Sequence, residues 1–306
     1  MRPGSLRYCH YISKKKANRK SRHTPQPTSN EDGATIEGFG REWSAFNQSG
    51  VSTDELKVIF DDYFDLVDLG ALPIDAVIMD VGCGSGRWAQ FAVDYCKVIH
   101  LVDPSTKALD VARQNLSDFA NCEFHQASTE NLPVEDNSCD LVYSLGVLHH
   151  IPDTESGIND CVRKLKPGAP FLVYLYYRFD NRPLWFRGLW RASDLLRILL
   201  SRLPFVLRRI TTDLVAMFVY FPLARLSRLI EKIGRDPSNL PLSIYRNHSL
   251  YTMRTDALDR LGTRLEHRFT RTEIQRMLES AGLENIAFRE TEPFWCAVGY
   301  KTQSVQ

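Results

Sequence analysis

The stretch Asp80-Val81-Gly82-Cys83-Gly84-Ser85-Gly86 decides the fold of this chain. It follows the short apolar run Ala76-Val77-Ile78-Met79, which is typical of a buried strand. Glycines at positions 82, 84 and 86 allow a sharp turn and a close approach of the backbone to a ligand, and we expect a helix to start behind them. The order of strand, glycine loop and helix predicts a ligand site in an α/β fold.

The spacing of the glycines and the acid before them indicate which ligand this loop suits. A dinucleotide fingerprint requires glycines at 82, 84 and 87, but position 87 is Arg87. The Asp80 carboxylate would repel a pyrophosphate and attract a cation. S-adenosylmethionine carries an ammonium and a sulfonium group, so the loop suits this cofactor better than a dinucleotide.

An acid at the end of the next predicted strand supports a nucleoside site. Val98-Ile99-His100-Leu101-Val102 reads as strand two and is followed by Asp103, 23 residues after Asp80. A carboxylate at this place accepts hydrogen bonds from ribose hydroxyls. Asp103-Pro104-Ser105 is also a good helix start, and capping is the alternative role for Asp103.

With these features the sequence resembles the class I S-adenosylmethionine-dependent methyltransferases, and is most similar to those of ubiquinone and menaquinone biosynthesis. The resemblance rests on residues 80–86, Asp103, and the segments 132–140, 148–152 and 162–168. It implies an α/β fold with a doubly wound, mostly parallel, seven-stranded sheet, and S-adenosylmethionine as cofactor. Ser128 stands where many relatives carry an acid that contacts adenine. The predicted cofactor-binding residues are Asp80, Gly82, Cys83, Gly84, Gly86, Asp103, Pro104, Ser128, Thr129, Ser144, Leu145 and Gly146.

Apolar periodicity and breaks in composition predict five segments. They are a disordered basic arm (1–35), an N-terminal lid and helix (36–70), a cofactor-binding core (71–177), a helical insertion that caps the substrate (178–268), and a final helix with strands six and seven (269–306). Thr270-Arg271-Thr272-Glu273 predicts a capping box at the start of the final helix.

Charge is unevenly distributed along the chain. Residues 1–30 hold eight Lys or Arg and no acid, while the complete chain has a formal charge of +1. The arm is either a tether to an anionic surface or an extension without function. It lacks the apolar core of a signal peptide.

The insertion has two strongly apolar stretches, 195–203 and 214–226, interrupted by Pro204 and Pro222 and bordered by arginines. These stretches predict either a buried helical cap or a surface that contacts a membrane and admits a lipid-like substrate. We expect a cytoplasmic protein, with peripheral membrane contact in the second case.

Seven scattered cysteines without a CxxC pair, and histidines without metal-ligand spacing, predict reduced thiols and no metal.

The candidates for chemistry follow strand four and lie in the insertion. His149 and His150 are the tentative catalytic residues, with helix capping or core packing as the alternative. The tentative substrate contacts are Trp43, Tyr245, Tyr251, Arg254 and Arg260, and a solvated, salt-bridged helix is the alternative for the insertion's members.

These features favour transfer of a methyl group to oxygen or carbon of a small-molecule acceptor. Strand four ends in Tyr143-Ser144-Leu145-Gly146, without the Asn/Asp-Pro-Pro-Tyr/Phe motif of enzymes that methylate exocyclic amines, so nucleic acid is disfavoured. The alternatives are a nicotinamide-dependent oxidoreductase and a regulator that binds S-adenosylmethionine without turnover. The acceptor and the oligomeric state do not follow from the sequence.

Overall fold

One seven-stranded sheet organises the molecule. The computed structural model describes residues 29–303. The strands are β1 (Val77–Val81), β2 (Val98–Asp103), β3 (Cys122–Gln126), β4 (Leu141–Leu145), β5 (Pro170–Tyr174), β6 (Leu283–Phe288) and β7 (Cys296–Lys301). Their order is β3-β2-β1-β4-β5-β7-β6, and β7 runs in the direction opposite to that of the other six strands. The predicted doubly wound, mostly parallel sheet is confirmed.

The sheet reverses its winding between β1 and β4, which places two glycine-containing loops side by side. Asp80 on β1 pairs with Leu101 of β2 on one side and with Tyr143 of β4 on the other. The loops that begin at Gly82 and Gly146 therefore leave the same edge of the sheet. In open α/β sheets this switch point is where ligands bind.

Helices cover both faces of the sheet, because each presents an apolar stripe. They are α1 (Gly33–Ala45), α2 (Thr53–Phe64), α3 (Ala89–Ala92), α4 (Thr106–Asn115), α5 (Thr154–Lys164) and α10 (Arg271–Ser280). Phe60 and Phe64 of α2 pack into the core on one face, and Ile158 of α5 and Ile274 of α10 into the core on the other. The capping box of α10 is present as predicted, with Thr270 and Glu273 bonded reciprocally.

The helix that the sequence predicts directly behind the glycine loop starts later and is short. Gly86 has a φ of +74°, outside the helical region, so α3 begins only at Ala89 and continues as a 3-10 turn, Val93–Tyr95.

The insertion is helical: α6 (Leu184–Leu200), α7 (Phe205–Val215), α8 (Phe221–Lys232) and α9 (Leu250–Gly262). Pro204 separates α6 from α7 as predicted, but Pro222 does not interrupt the next helix. A π-helical segment, Ala216–Tyr220, joins α7 to α8, and Val215, Tyr220 and Phe221 keep helical dihedral angles. A wider π turn accommodates a proline that lacks its N–H donor. Among the helices of residues 29–303, none has both the length and the apolar character needed to cross a membrane.

The predicted boundary of the disordered arm at residue 35 is wrong. Asn30 is buried, and Asp32 caps α1 by accepting from the backbone N–H of Thr35 at 2.9 Å. The polar composition of this segment concealed a helix N-cap. The remainder of the arm, residues 1–28, lies outside the described residues.

Candidate active site

A cavity lies at the switch point between β1 and β4. Its walls come from the glycine loop, the ends of β2 and β4, the 3-10 turn after β3, α1 and α9. The predicted site residues that line it are Trp43, Gly82, Cys83, Asp103, Pro104, Ser128, Thr129, Leu145, Gly146, His150 and Arg260. Residues from six separate segments therefore converge on one space.

Two positions in the loop require glycine. Gly82 and Gly84 have φ angles of +78° and +54°, which are unfavourable for residues other than glycine. A Cβ on Gly82 would lie 2.3 Å from Val147, and one on Gly84 would lie 2.8 Å from the Trp43 indole nitrogen. The loop therefore packs directly under side chains of the cavity wall.

Asp103 is held with its carboxylate at the cavity. Its Oδ2 accepts from the Gly84 N–H at 3.0 Å, and its Oδ1 accepts from the Ser105 N–H at 2.8 Å. Burial raises the pKa of Asp103 to about 6, and the two backbone N–H groups oppose this rise. Helix α4 is capped by Ser105 itself, which leaves Asp103 to join the glycine loop to β2 and face the cavity. The carboxylate retains lone pairs for ribose hydroxyls.

Asp80 lies beneath the cavity and does not line it, contrary to its prediction as a direct cofactor contact. It is 2% exposed, and its Oδ2 has no hydrogen-bond partner within residues 29–303. Burial raises its pKa to about 8, with the neighbouring Tyr143 hydroxyl acting in the opposite direction. An unpaired buried carboxylate next to Val81 and Gly82, which do line the cavity, favours a cation there.

Three more predicted cofactor contacts lie outside the cavity lining in this structure, and their contact with a cofactor stays a prediction. The Ser144 hydroxyl donates to the Val81 carbonyl at 2.9 Å and ties β4 to β1. Gly84 and Gly86 lie outside the lining, and Gly86 packs against Leu116 of α4. Cys83 lines the cavity, and burial raises the pKa of its thiol well above the ordinary value, so it remains a neutral packing group.

The two hydroxyls at the 3-10 turn after β3 are available to a ligand. Ser128 and Thr129 are buried and line the cavity, and neither side-chain oxygen has a hydrogen-bond partner within residues 29–303. Buried hydroxyls are rarely left unpaired, so these two atoms indicate a polar ligand group. Together with Asp80, Asp103 and the glycine loop, they fit the adenosyl and amino-acid parts of S-adenosylmethionine.

An acid–base cluster occupies the other side of the cavity. His150 Nδ1 lies 2.7 Å from the Leu265 carbonyl, which accepts from it and so fixes the proton on Nδ1. His150 Nε2 lies 3.7 Å from Asp259 Oδ1. The other oxygen of Asp259 accepts from the Tyr176 hydroxyl at 2.6 Å, and burial raises the pKa of Asp259. His150, Asp259 and Tyr176 all line the cavity.

His149 does not share this role. It is fully buried outside the lining and stacks on Tyr176 with ring centroids 3.9 Å apart. Burial and the neighbouring His150 lower its pKa well below the ordinary value. His149 is a neutral packing residue, which is the alternative that the sequence left open.

The predicted substrate contacts divide into two groups. Trp43 and Arg260 line the cavity. Tyr245 is buried in the insertion, where it donates to Asp256 at 2.7 Å. Tyr251 accepts from the Gln48 N–H, and Arg254 makes two 2.8 Å bonds to Asp213 of α7. The last three lie outside the lining of this cavity: Tyr245 and Arg254 bond within the insertion, and Tyr251 joins it to the segment after α1, so their contact with a substrate stays a prediction.

Sequence reasoning predicted the N-terminal lid and Trp43 but missed Asn30, Thr35 and two acids on α9. Asn30 lines the cavity just before α1, Thr35 and Phe39 line it from α1, and Asp256 and Asp259 line it from α9. The capping motif at Asp32 was the available signal for α1. No local signal marks the α9 acids, because chain folding alone brings them to His150.

The premise that histidines lack metal-ligand geometry is also corrected. His100, Glu123 and His125 lie on adjacent strands, and their ligand atoms are all within 4.8 Å of one another. His100 Nδ1 and His125 Nε2 are 3.1 Å apart, a distance that a hydrogen bond explains. Strand pairing rather than sequence spacing creates this cluster, and the absence of a metal stays a prediction.

Comparison with known proteins identifies a methyltransferase domain in this chain. A methyltransferase-domain family model matches residues 79–173. A tRNA (carboxymethyluridine(34)-5-O)-methyltransferase of Macaca fascicularis is 29% identical over 113 residues, which are 35% of this chain and 16% of that protein. Phosphoethanolamine N-methyltransferase 2 of Caenorhabditis elegans is 33% identical over 32% of this chain and 23% of its own length. A ubiquinone biosynthesis O-methyltransferase of Haemophilus ducreyi is 29% identical over 31% of this chain and 43% of its own length.

The chain thus spans less than half of each of these curated relatives, and their acceptors differ. Among solved structures, a protein of Methanococcus maripaludis described as an S-adenosyl-L-methionine-dependent methyltransferase has a TM-score of 0.50 and 14% identity. That match covers 92% of this chain and all of the other, and supports the fold.

Proposed function

We propose that this chain, which belongs to the class I S-adenosyl-L-methionine-dependent methyltransferases, methylates a hydroxyl group of a small-molecule acceptor. The observation that carries the proposal is His150, which lines the same cavity as Asp103 and the glycine loop. A cofactor site and a candidate base in one cavity are what methylation of oxygen requires.

S-adenosyl-L-methionine supplies a methyl group on a positively charged sulfur. Asp103 would accept the ribose hydroxyls, and Ser128 and Thr129 would bond polar atoms of the adenosyl group. Asp80 would stabilise the positive charge through the loop without contacting it. Helix α1 covers the cavity with Phe39 and Trp43, which exclude water.

The other half of the cavity supplies the base. When bound, S-adenosyl-L-methionine would supply the methyl group, and His150 Nε2 would accept the proton that the acceptor hydroxyl loses. Asp259, 3.7 Å from that nitrogen, stabilises the imidazolium that forms. Tyr176 orients Asp259 through its 2.6 Å hydrogen bond. Amine acceptors need such a base less, because a neutral amine is a good nucleophile before it loses a proton whereas a neutral hydroxyl is a weak one, so the cluster favours oxygen over nitrogen.

The proposal is tested by following a deuterated methyl group. The purified full chain is incubated with S-adenosyl-L-methionine labelled at the methyl group and with a small-molecule extract, and the products are identified by mass spectrometry. We expect a labelled methyl ether, and His150→Gln should lower its rate of formation roughly 10²–10⁴-fold. His125→Gln, on β3 and outside the cavity lining, is the matched control and should keep the rate. Equal rates for His150→Gln and the wild type would remove His150 as the base.

A further inference from the structure

The outer side of the insertion is unusually apolar. Within residues 29–303, twenty large hydrophobic side chains are exposed, and all but Val58, Ile74 and Tyr95 lie between residues 184 and 233. We call this surface the apolar face. It comprises Leu184, Trp185, Leu189, Leu195, Leu196, Leu199, Val206, Leu207, Ile210, Leu214, Met217, Phe218, Val219, Phe221, Leu226, Leu229 and Ile233. Soluble monomers seldom concentrate so much apolar surface in one segment.

The apolar face follows helical periodicity. Leu207, Ile210, Leu214, Phe218 and Phe221 are spaced three or four residues apart along the continuous helix formed by α7, the π segment and α8. This helix covers residues 205–232 and is roughly 42 Å long at 1.5 Å per residue. The opposite side of the same helix is buried in a small core of its own, through Ala216, Tyr220 and Ala224. The helix therefore carries two apolar stripes, one of which is buried and one of which is exposed.

Charge identifies what this face suits. Residues 184–233 contain nine Arg or Lys and three Asp or Glu, whereas the complete chain has a formal charge of only +1. Arg191, Arg202 and Arg228 are exposed and take part in no ion pair within residues 29–303. A second copy of this chain would bring like charges together, while an anionic lipid surface complements both the arginines and the apolar residues.

A second cavity shares wall residues with the apolar face and with the cavity that contains His150. Phe186, Leu189 and Trp190 of α6 line it at one end, and Leu189 is also 52% exposed on the apolar face. Tyr174 and Arg260 line both this cavity and the one that contains His150. The two cavities therefore adjoin at these two side chains.

We propose that α6, α7 and α8 dock on an anionic membrane, and that the second cavity holds the apolar tail of a lipid-like acceptor. The apolar side chains enter the lipid at the interface without a helix crossing it, and the arginines contact the anionic headgroups. The docking does not depend on catalysis. The tail site rests on the proposed function, because it assigns the acceptor to the cavity that holds His150.

Docking is tested by co-sedimentation of the full chain with vesicles of phosphatidylcholine and phosphatidylserine. The test variant carries Leu207→Gln, Leu214→Gln and Phe218→Gln, at positions that are 54%, 50% and 68% exposed. The control carries Val58→Gln and Ile74→Gln, which are exposed outside the insertion. All three proteins keep residues 1–28, so any contribution of the basic arm is the same in each.

We expect the test variant to bind vesicles at least about tenfold more weakly than the wild type and the control, since each buried apolar side chain contributes to membrane affinity. Higher salt should weaken the binding of the wild type. Equal sedimentation of test variant and wild type would overturn docking by this face. Docking by this face would also be overturned if the wild type stayed in solution as a dimer and the test variant were a monomer.

The tail site is tested by calorimetry with 4-nonylphenol and phenol, on protein saturated with S-adenosylhomocysteine. We expect the wild type to bind 4-nonylphenol at least about tenfold more tightly than phenol. Trp190→Ala should reduce this preference and leave the affinity for S-adenosylhomocysteine unchanged. Equal binding of the two phenols would overturn the tail site, and because no turnover is measured, that result would leave the proposed methyl transfer standing.

Discussion

At the scale of single residues, Asp80 links the cofactor site to pH. Its pKa of about 8 in the folded protein exceeds the ordinary value of 3.8, so the folded state binds the proton more tightly than the unfolded state. The resulting stability is fully present below about pH 4 and is lost as the pH rises to about 8. A bound cation reverses this effect by favouring the carboxylate.

Asp80→Asn should therefore show a pH-dependent gain in stability without ligand. We expect its melting temperature to rise relative to that of the wild type between about pH 4 and about pH 8, because the variant has no charge to bury. Scanning calorimetry at several pH values measures this difference. A constant difference across the range would show that Asp80 does not titrate there.

The same substitution should change the pH dependence of cofactor binding. We expect the affinity of the wild type for S-adenosylmethionine, relative to that of Asp80→Asn, to rise with pH over the same range as Asp80 ionises. The comparison with the variant cancels titration of the ligand's own amino group. Parallel pH profiles for the two proteins would contradict an electrostatic role of Asp80.

At the scale of elements, helix α1 is fastened over the cofactor site. The Asn30 amide makes two hydrogen bonds to the backbone of Asp153, at 2.9 and 2.7 Å, just before α1 begins. The position of Asp153 is itself fixed, because its side chain caps α5. The pair therefore determines where α1 crosses the cavity that Phe39 and Trp43 close.

Asn30→Ala should release α1 and speed up dissociation of S-adenosylhomocysteine by roughly five- to tenfold, since it removes two partly buried hydrogen bonds. Stopped-flow fluorescence of Trp43 measures the rate. Glu37→Gln is the matched control on α1, because its exposed ion pair with Lys107 contributes little. Unchanged dissociation from Asn30→Ala would mean that α1 does not retain the cofactor.

What the sequence predicted well is local in the chain. The strand, the glycine loop and Asp103 were predictable because short-range patterns encode strands, turns and caps. The acid–base cluster was not, since Tyr176 and Asp259 are 83 residues apart and His150 and Leu265 are 115 apart. The ion pair of Arg254 was not predictable for a related reason: polar density on a helix does not reveal which side faces a partner such as Asp213.

At the scale of the whole molecule, a sheet with a cofactor loop carries an insertion that completes the active site. The core supplies Asp103 and His150, and α9 of the insertion supplies Asp259 and Arg260. Sequence similarity to the curated relatives is confined to about a third of the chain. The part that differs is therefore the part expected to select the acceptor.

The most direct test of the account is calorimetric titration of the full chain with S-adenosylhomocysteine and with NADH. We expect S-adenosylhomocysteine to bind with a dissociation constant in the micromolar range, about −8 kcal/mol. Asp103→Ala should weaken this binding roughly 10- to 150-fold by removing charge-assisted hydrogen bonds to the ribose, while Tyr251→Phe, which lies outside the cavity lining, should not. Tighter binding of NADH than of S-adenosylhomocysteine, or an unchanged affinity in Asp103→Ala, would contradict the assignment of this cavity.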